Sequence, residues 1–307
     1  MRLPRVGSVT AAIPMAIMVF LGGCGGGPKG TPDTGGIEDA ETVSVLETAR
    51  HAFLAGRYDQ ATTVYTRALD RAYRLDDVAA IAVAGQELAL SELRRGKAAD
   101  AAAVAARSRS ELLRRGRSVP TALTLVEATA HYRLGDAQKT RQLAREITES
   151  SKDVLVTARA TYLIGLIAAD QGDRTALQDA IEKLPASEEP ELAADRLALT
   201  GRLASLDGDV GTALAAFTAE EKLRRANGDE VGVARALESA ARAAESGGRL
   251  AEAADLYFRA GRSASLAGPV GSGAAALLRR AEHLARRTGQ PGLAAEAGRL
   301  RLKLVRP

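Results

Sequence analysis

One fourteen-residue stretch constrains the fold of this chain more than any other. It runs from Gly56 to Leu69 and reads Gly-Arg-Tyr-Asp-Gln-Ala-Thr-Thr-Val-Tyr-Thr-Arg-Ala-Leu. From Tyr58 onward, its tyrosine, alanine and leucine positions fall three, four, three and one residues apart, which places them on one face of a helix. The stretch therefore predicts a helix that follows a glycine turn and packs through a single face.

Looser copies of this stretch recur almost to the C-terminus. Successive equivalents of Gly56 are separated by 40, 39, 37, 36 and 40 residues, and they are Gly96, Gly135, Gly172, Gly208 and Gly248. A small residue stands seven positions before each of the six glycines, namely Ala49, Ala89, Ala128, Gly165, Gly201 and Ala241. A small side chain at this point lets the two helices of a hairpin approach closely. Self-similarity at this period indicates stacked helical hairpins.

The composition agrees with an all-α fold. Hydrophobic residues make up 46% of the chain, whereas aromatic residues make up only 3% and tryptophan is absent. The apolar mass is therefore mostly alanine, leucine and valine, which suits close helix packing and suits a β-sandwich poorly.

The glycine turn, the small residue and the alternating aromatic and alanine positions resemble the tetratricopeptide repeat. The resemblance covers about residues 40–265 in six units, with 271–304 as a seventh, capping hairpin. It implies a right-handed all-α solenoid of about six to seven hairpins over residues 38–307. The family's tryptophan and terminal proline are missing, and the intervals exceed the usual 34 residues, so longer helices or looser turns are expected. Within the hairpins, we predict N-caps at Asp76, Asp153 and Ser187 and first helical turns at Pro120 and Pro190.

The first 23 residues read as a targeting segment. Arg2 and Arg5 precede an apolar run from Val9 to Leu21 that is short for a bilayer span. The chain continues as Leu-Gly-Gly into Cys24, its only cysteine.

This junction resembles the lipobox of bacterial lipoproteins. The resemblance implies cleavage after residue 23 and attachment of diacylglyceryl and acyl chains to Cys24, and Gly25 favours the outer membrane if the cell is Gram-negative. Residues 24–37 are rich in Gly, Pro, Lys, Thr and Asp and predict a flexible tether with a reach of about 20 Å. The expected location is the cell envelope, at the periplasmic face of the outer membrane. The alternative is an unpaired cysteine in an ordinary secretory or membrane-anchor segment.

Catalytic and metal-binding patterns do not emerge from the sequence. His51, His131 and His283 belong to three distant units of a solenoid in which each repeat contacts its neighbours. A single cysteine cannot form a zinc-finger spacing, and nucleotide-binding and hydrolase motifs are absent from the sequence. We therefore expect a protein that is not an enzyme and has no metal and no cofactor other than the lipid on Cys24.

The first helix of each hairpin carries the candidate partner-binding residues. In tetratricopeptide proteins the first helices line a concave groove, and the resemblance assigns to it Arg50, Gln86, Leu90, Leu125, Tyr132, Tyr162, Leu166, Arg202, Arg235 and Arg242. Arginines beside tyrosines suit an extended, partly acidic peptide. The alternative is that these are ordinary solvated helix positions. The family's carboxylate-clamp residues for chaperone tails are not reproduced.

The predicted function is a membrane-anchored scaffold or adaptor for a protein partner in the bacterial envelope, for example in a secretion or pilus machine. Regulation of a peptidoglycan synthetic or hydrolytic enzyme is the alternative. Neither a nucleic acid nor a small-molecule substrate is expected.

The C-terminal end is strongly basic. Residues 259–307 contain ten Arg or Lys against Glu282 and Glu296, which gives this end a charge of +8. Two interpretations are open: contact with anionic lipid head groups or another acidic surface, and the polar outer face that a terminal repeat needs for solubility.

Overall fold

The computed structural model describes residues 36–37, 39–187, 189–266 and 273–305, and the side chains of these residues up to 304. The predicted signal segment, Cys24 and almost all of the predicted tether lie outside the described residues. In the described part, the chain forms fourteen α-helices and no strand. Consecutive helices pack in pairs, so the protein is an all-α solenoid, as predicted.

The helices form seven hairpins, each with a first and a second helix. The first helices are α1 (Ala40–Leu54), α3 (Val78–Arg94), α5 (Thr121–Arg133), α7 (Val154–Gln171), α9 (Pro190–Asp207), α11 (Glu230–Ser246) and α13 (Ala274–Arg287). The second helices are α2 (Tyr58–Leu75), α4 (Ala98–Arg114), α6 (Ala137–Ser150), α8 (Arg174–Lys183), α10 (Val210–Ala226), α12 (Leu250–Leu266) and α14 (Pro291–Val305).

Each predicted turn glycine lies between the two helices of one hairpin. All six adopt a left-handed backbone conformation with φ between 70° and 78°, and Gly289 does the same in the seventh hairpin at 72°. Residues with a Cβ are disfavoured in this conformation, whereas glycine reverses the chain there without strain. The glycine register of the sequence is therefore confirmed.

The small residue seven positions before each turn is also confirmed as a site of close helix approach. Ala49, Ala89, Ala128 and Ala241 are fully buried. A Cβ on Gly201 would lie only 2.6 Å from Cε1 of Phe217 on the second helix of the same hairpin. A glycine is needed there because the phenylalanine ring occupies the space of any side chain.

The hydrophobic core runs the length of the solenoid as three large adjoining clusters, with a small fourth one formed by Ala234, Ala264 and Ala274. One spans α1 to α5, the next α5 to α9, and the last α9 to α14, so α5 and α9 each belong to two clusters. Each first helix contacts the second helix of its own hairpin and that of the preceding one. Tyr65 of the opening stretch is 1% exposed and packs in the first cluster.

Helix boundaries follow the predicted capping residues with two shifts. Asp153 accepts hydrogen bonds from the backbone N–H groups of Leu155 and Val156 and caps α7, as predicted. The prediction for Asp76 is wrong: Asp76 ends α2 in a left-handed conformation at φ 53°, and the next residue, Asp77, caps α3. A residue in that conformation closes a helix, which moves the start of the next helix by one position.

The predicted cap at Ser187 is also displaced, because Glu189 occupies the N-cap position of α9. The Ser187 hydroxyl instead accepts a hydrogen bond from the Glu189 N–H at 3.1 Å. Pro190 is the first residue of α9, as predicted, whereas Pro120 is the N-cap residue of α5, because its ψ of 129° lies outside the helical range. Among the described residues, none of the helices is sufficiently long and apolar to cross a bilayer.

Candidate functional site

We define the inner surface as the residues thirteen, ten, six and three positions before each turn glycine, because the predicted groove residues occupy these positions. In the second, third and fourth hairpins the positions ten and six residues before the glycine are closed. Leu90, Leu125 and Leu166 are at most 4% exposed. Gln86 and Tyr162, two of the predicted partner-groove residues, are 8% and 5% exposed, so these two side chains are packed and are not open to a partner in this structure.

The second hairpin reaches the fifth and sixth hairpins across the interior. Burial lowers the pKa of Arg94, at the C-terminal end of α3, and the neighbouring Tyr58, Asp229 and Glu191 oppose that shift. Glu191 lies on α9 and Asp229 is the N-cap of α11. Charged side chains from hairpins far apart in sequence therefore influence one another electrostatically here.

A buried network of charges lies beside this crossing. Arg159 of α7 donates hydrogen bonds to Glu191 at 2.5 Å and to Asp195 of α9. Arg224 of α10 donates to the other oxygen of Asp195 at 2.6 Å and lies 3.5 Å from both Glu220 and Asp229. The relative exposures of these side chains are low, at 0% for Asp195, 3% for Arg224 and 5% for Glu220. The network joins α7, α9 and α10 and the start of α11.

Burial and neighbouring charges shift the pKa values of Glu220 and Arg224 in this network. Burial raises the pKa of Glu220 to about 7, although Arg224 opposes the shift. Burial also disfavours the charged form of Arg224, but Asp195 and its other neighbours raise the pKa of this guanidinium well above its usual value. The buried carboxylates therefore keep the arginines in their charged form. The network links the fourth, fifth and sixth hairpins. It offers no accessible acid or base to a substrate.

The open part of the inner surface begins at the third hairpin and extends toward the C-terminus. The Tyr132 hydroxyl of α5 donates to Asp170 of α7 at 2.9 Å, and Arg202 of α9 donates to the other oxygen of Asp170 at 2.8 Å. Asp170 thus joins two predicted groove residues into one polar chain across three first helices. Sequence reasoning missed Asp170, although its position two residues before Gly172 could have indicated it.

The remaining arginines among the predicted groove residues are also accessible. Arg242 is exposed and forms an ion pair with Glu238 of its own helix at 2.5 Å. Arg235 of α11 is half-buried, and Arg50 of α1 is half-buried at the opposite end of the solenoid. The structure therefore groups Tyr132, Arg202, Arg235 and Arg242 on neighbouring first helices and leaves Arg50 apart from them.

The histidines do not converge. His51 and His283 are exposed on α1 and α13, and Nδ1 of His131 on α5 lies 3.3 Å from Asp136. Within the part of the chain that the structure describes, no group of three His, Cys, Asp or Glu side chains could hold a metal ion.

A second open feature was not identified from the sequence. A cleft of about 860 Å³ lies between α6 and α8, with Thr157, Thr161 and Ile164 of α7 among its lining residues and Arg141 and Arg145 on α6. The equivalent side chains of α3, beginning with Ile81, are buried. The helix on one side of the cleft, α8, has only 10 residues. The sequence signal that could have indicated this short helix is Pro185, which follows two residues after the end of α8 at Lys183.

The Gly-Asp pairs at the turns act as caps. Asp136, Asp173 and Asp209 each accept a hydrogen bond at 3.0 Å from the backbone N–H three residues later. These carboxylates satisfy helix N-termini. Their role is structural.

Comparisons with known proteins identify the fold. No protein-family model matches the chain, and no curated protein matches it. Among solved structures, NprR in complex with its cognate peptide NprX is 12% identical with a TM-score of 0.60, covering 87% of this chain and 88% of that one. A Rap protein complexed with Competence and Sporulation Factor is 12% identical with a TM-score of 0.59, covering 86% and 77%.

A tetratricopeptide repeat protein from Parabacteroides merdae is 15% identical with a TM-score of 0.51, covering 84% of this chain and 99% of that one. At such low identities these likenesses establish architecture alone. The chain is a tetratricopeptide-like α-solenoid.

Proposed function

We propose that this protein is a lipid-anchored scaffold of the bacterial cell envelope, which binds a protein partner through the open part of its inner surface. The observation that carries the proposal is the grouping of Tyr132, Arg202, Arg235 and Arg242 on neighbouring first helices of a tetratricopeptide-like solenoid. Two structural neighbours of this fold hold ligands in their solved structures, one of them a cognate peptide.

The ion pairs on this surface can exchange with a partner at low cost. Arg202 and Asp170 are 32% and 50% exposed, and Arg242 is 71% exposed. Exposed pairs of this kind contribute about 1 kcal/mol or less, because water already solvates both charges. A partner carboxylate can therefore replace Asp170 or Glu238, and guanidinium groups bind carboxylates through directional hydrogen bonds. An acidic, extended segment of a protein is the expected ligand.

The anchoring part of the proposal rests on the sequence. Cleavage after residue 23 and lipidation of Cys24 would attach the solenoid to the membrane through the tether of residues 24–37. More than one acyl chain makes such attachment stable, because a single chain binds only marginally. In a Gram-negative cell, the protein would act at the periplasmic face of the outer membrane.

Site-specific cross-linking in cells tests the partner. A photoreactive amino acid is placed at Arg242 on the inner surface, with a matched control at Lys222, which is exposed on α10. We expect a specific protein to be captured from position 242 and not from position 222. Charge reversal by Arg202→Glu with Arg242→Glu should then reduce capture from a reporter at Glu238 by at least about tenfold, since like charges would face the partner.

Recovery of only lipids and abundant porins would overturn the scaffold proposal. Capture of a peptidoglycan synthase or hydrolase would assign the protein to the regulation of that enzyme.

Metabolic labelling tests the anchor. Wild-type protein should incorporate a fatty-acid probe, and Cys24→Ser should lose it completely. Membrane fractionation alone does not decide the question, because an uncleaved precursor keeps its apolar segment. Equal labelling of the two proteins would exclude Cys24 as the lipidation site.

A further inference from the structure

We infer that the last hairpin, α13 with α14, is a surface that contacts the anionic head groups of a phospholipid bilayer. The inference rests on the proposed lipid anchor, which would hold the solenoid close to a membrane. It concerns a different part of the molecule from the partner-binding surface of α5 to α11.

The cations of this hairpin exceed the acids that could neutralise them. Of the seven described there, Arg280 pairs with Glu245 of α11, and both Arg286 and Arg301 pair with the buried Glu282. The other four are exposed and form no ion pair within the described residues; they are Arg279, Arg287, Arg299 and Lys303. We call these four residues the basic end surface. Glu296 is the single exposed acid that the structure describes on the same two helices.

Exposed leucines accompany these cations. Leu302 and Leu304 flank Lys303 and are 50% and 41% exposed, and Leu266, at the end of α12, is 76% exposed. Cations next to apolar side chains suit the interface of a bilayer, where charges meet head groups and leucines reach the acyl boundary.

Capping of the solenoid does not account for this composition. Arg299 of α14 lies 41 residues after Phe258 of α12, and the two residues are equivalent because each lies at the same distance from the turn glycine of its hairpin. Phe258 is only 5% exposed. A polar residue is needed at this position because no further hairpin covers α14. Any polar residue would serve, however. At the other end, α1 exposes Glu41, Ser44, Glu47, Thr48 and His51, a set without an excess of cations.

An anionic bilayer fits the basic end surface better than single-stranded nucleic acid. Residues 273–305 contain no Phe, Tyr or Trp, so they offer no aromatic platform on which bases could stack. Lipid head groups need no fixed geometry, and each cation near an anionic bilayer strengthens binding by about fivefold before screening. Four unpaired cations are sufficient for measurable binding by electrostatics.

Vesicle flotation of the chain from residue 25 to 307 tests the inference. This protein carries no lipid and keeps all fourteen helices. We expect it to float with vesicles that contain about one third phosphatidylglycerol and not with pure phosphatidylcholine, and to be released when salt is raised to roughly 0.5 M. Changing Arg279, Arg287, Arg299 and Lys303 together to glutamine should lower binding by at least about tenfold.

Two matched variants control for folding and for total charge. Changing the three arginines of the basic end surface to lysine should keep binding, because the charges remain. Changing four exposed cations elsewhere, Arg57, Arg67, Lys152 and Lys222, to glutamine should also keep it. Circular dichroism establishes that all variants are helical.

Equal binding to both vesicle types, no binding to either, or equal losses in the two glutamine variants would overturn the inference. Binding to acidic protein or nucleic acid in place of vesicles would also overturn it. The assay contains neither a lipid anchor nor a protein partner, so its failure leaves the scaffold proposal standing, and a failed cross-linking experiment leaves this inference standing.

Discussion

Glu220 shows how one residue can make the stability of the whole solenoid depend on pH. Its folded pKa is about 7 against an ordinary value of 4.5, and burial is the main cause. As pH rises from 4.5 to 7, the unfolded chain loses this proton while the folded chain keeps it. The free energy of unfolding therefore falls over this range and levels off above it, by about 3 kcal/mol in total.

Glu220→Gln should remove this dependence, because glutamine reproduces the neutral form and still accepts a hydrogen bond from Arg224. We expect the variant to match wild type near pH 4.5 and to be more stable at pH 8, by up to about 3 kcal/mol. Urea denaturation at intervals between these pH values measures the difference. Glu252→Gln, at an exposed position on α12, controls for the loss of one negative charge. Identical pH slopes in Glu220→Gln and wild type would contradict the prediction.

The packing of single residues could be predicted from the sequence at positions that have the same structural role in every hairpin. Ala49 and Gly201 were recognised because a small side chain at a fixed distance from a turn glycine meets the paired helix. Asp195 could not be recognised, because the arginines that pair with it lie on α7 and α10, and Glu220 could not, because its pair with Arg224 has the spacing of an ordinary solvated pair within one helix. Nothing local to these acids distinguishes them from solvated ones.

At the scale of the element, α8 is the helix most dependent on its cap. It has 10 residues, and the Asp173 side chain accepts a hydrogen bond from the Ala176 N–H at 3.0 Å. Asp173→Ala should destabilise the protein by about 1 kcal/mol, since an N-terminal N–H group loses its acceptor. Short helices have few internal hydrogen bonds to offset such a loss, so the effect should concentrate in α8.

Hydrogen exchange measured by mass spectrometry checks this prediction by following the amides of α8. Asp173→Asn is the matched control, because asparagine also caps helices and should cost much less. Faster exchange spread evenly over all hairpins, or equal effects of the two variants, would argue against a local role of the cap.

Helix positions were predictable because each hairpin repeats the same local signals. Gly172 and Asp173 specify a turn and a cap within two residues. Boundaries between hairpins were harder to place: Asp76 and Asp77 are chemically equivalent candidates, and only the left-handed backbone of Asp76 decides which of them begins α3.

At the scale of the whole molecule, the crossing from Arg94 to Glu191 and Asp229 should hold the solenoid closed. Arg94→Gln removes the cation between these carboxylates. Glu191 and Asp229 keep Arg159 and Arg224 as ion-pair partners, so the loss of this further cation should destabilise by less than the roughly 3 kcal/mol of a fully broken buried pair. We expect a larger radius of gyration in small-angle X-ray scattering and faster hydrogen exchange along α3 and α7.

The control for this experiment is Arg114→Gln, which removes a cation whose side chain is 66% exposed and which pairs only with a residue of its own helix among the ion pairs described. That variant should leave the scattering curve unchanged. A compact Arg94→Gln protein with a wild-type scattering curve would show that packing alone closes the interior.

The sequence by itself determined the local units of this protein: the glycine turns, the small residue before each of them, and hence an all-α solenoid of helical hairpins. These signals are local, since each depends on residues within one helix or one turn. Only the tertiary structure decided which part of the inner surface is open. Whether a first-helix side chain is buried depends on the neighbouring hairpins, so Gln86 and Tyr162 are buried while Arg202 and Arg242 stay accessible, and Arg94 comes under the electrostatic influence of Glu191 and Asp229 from distant hairpins.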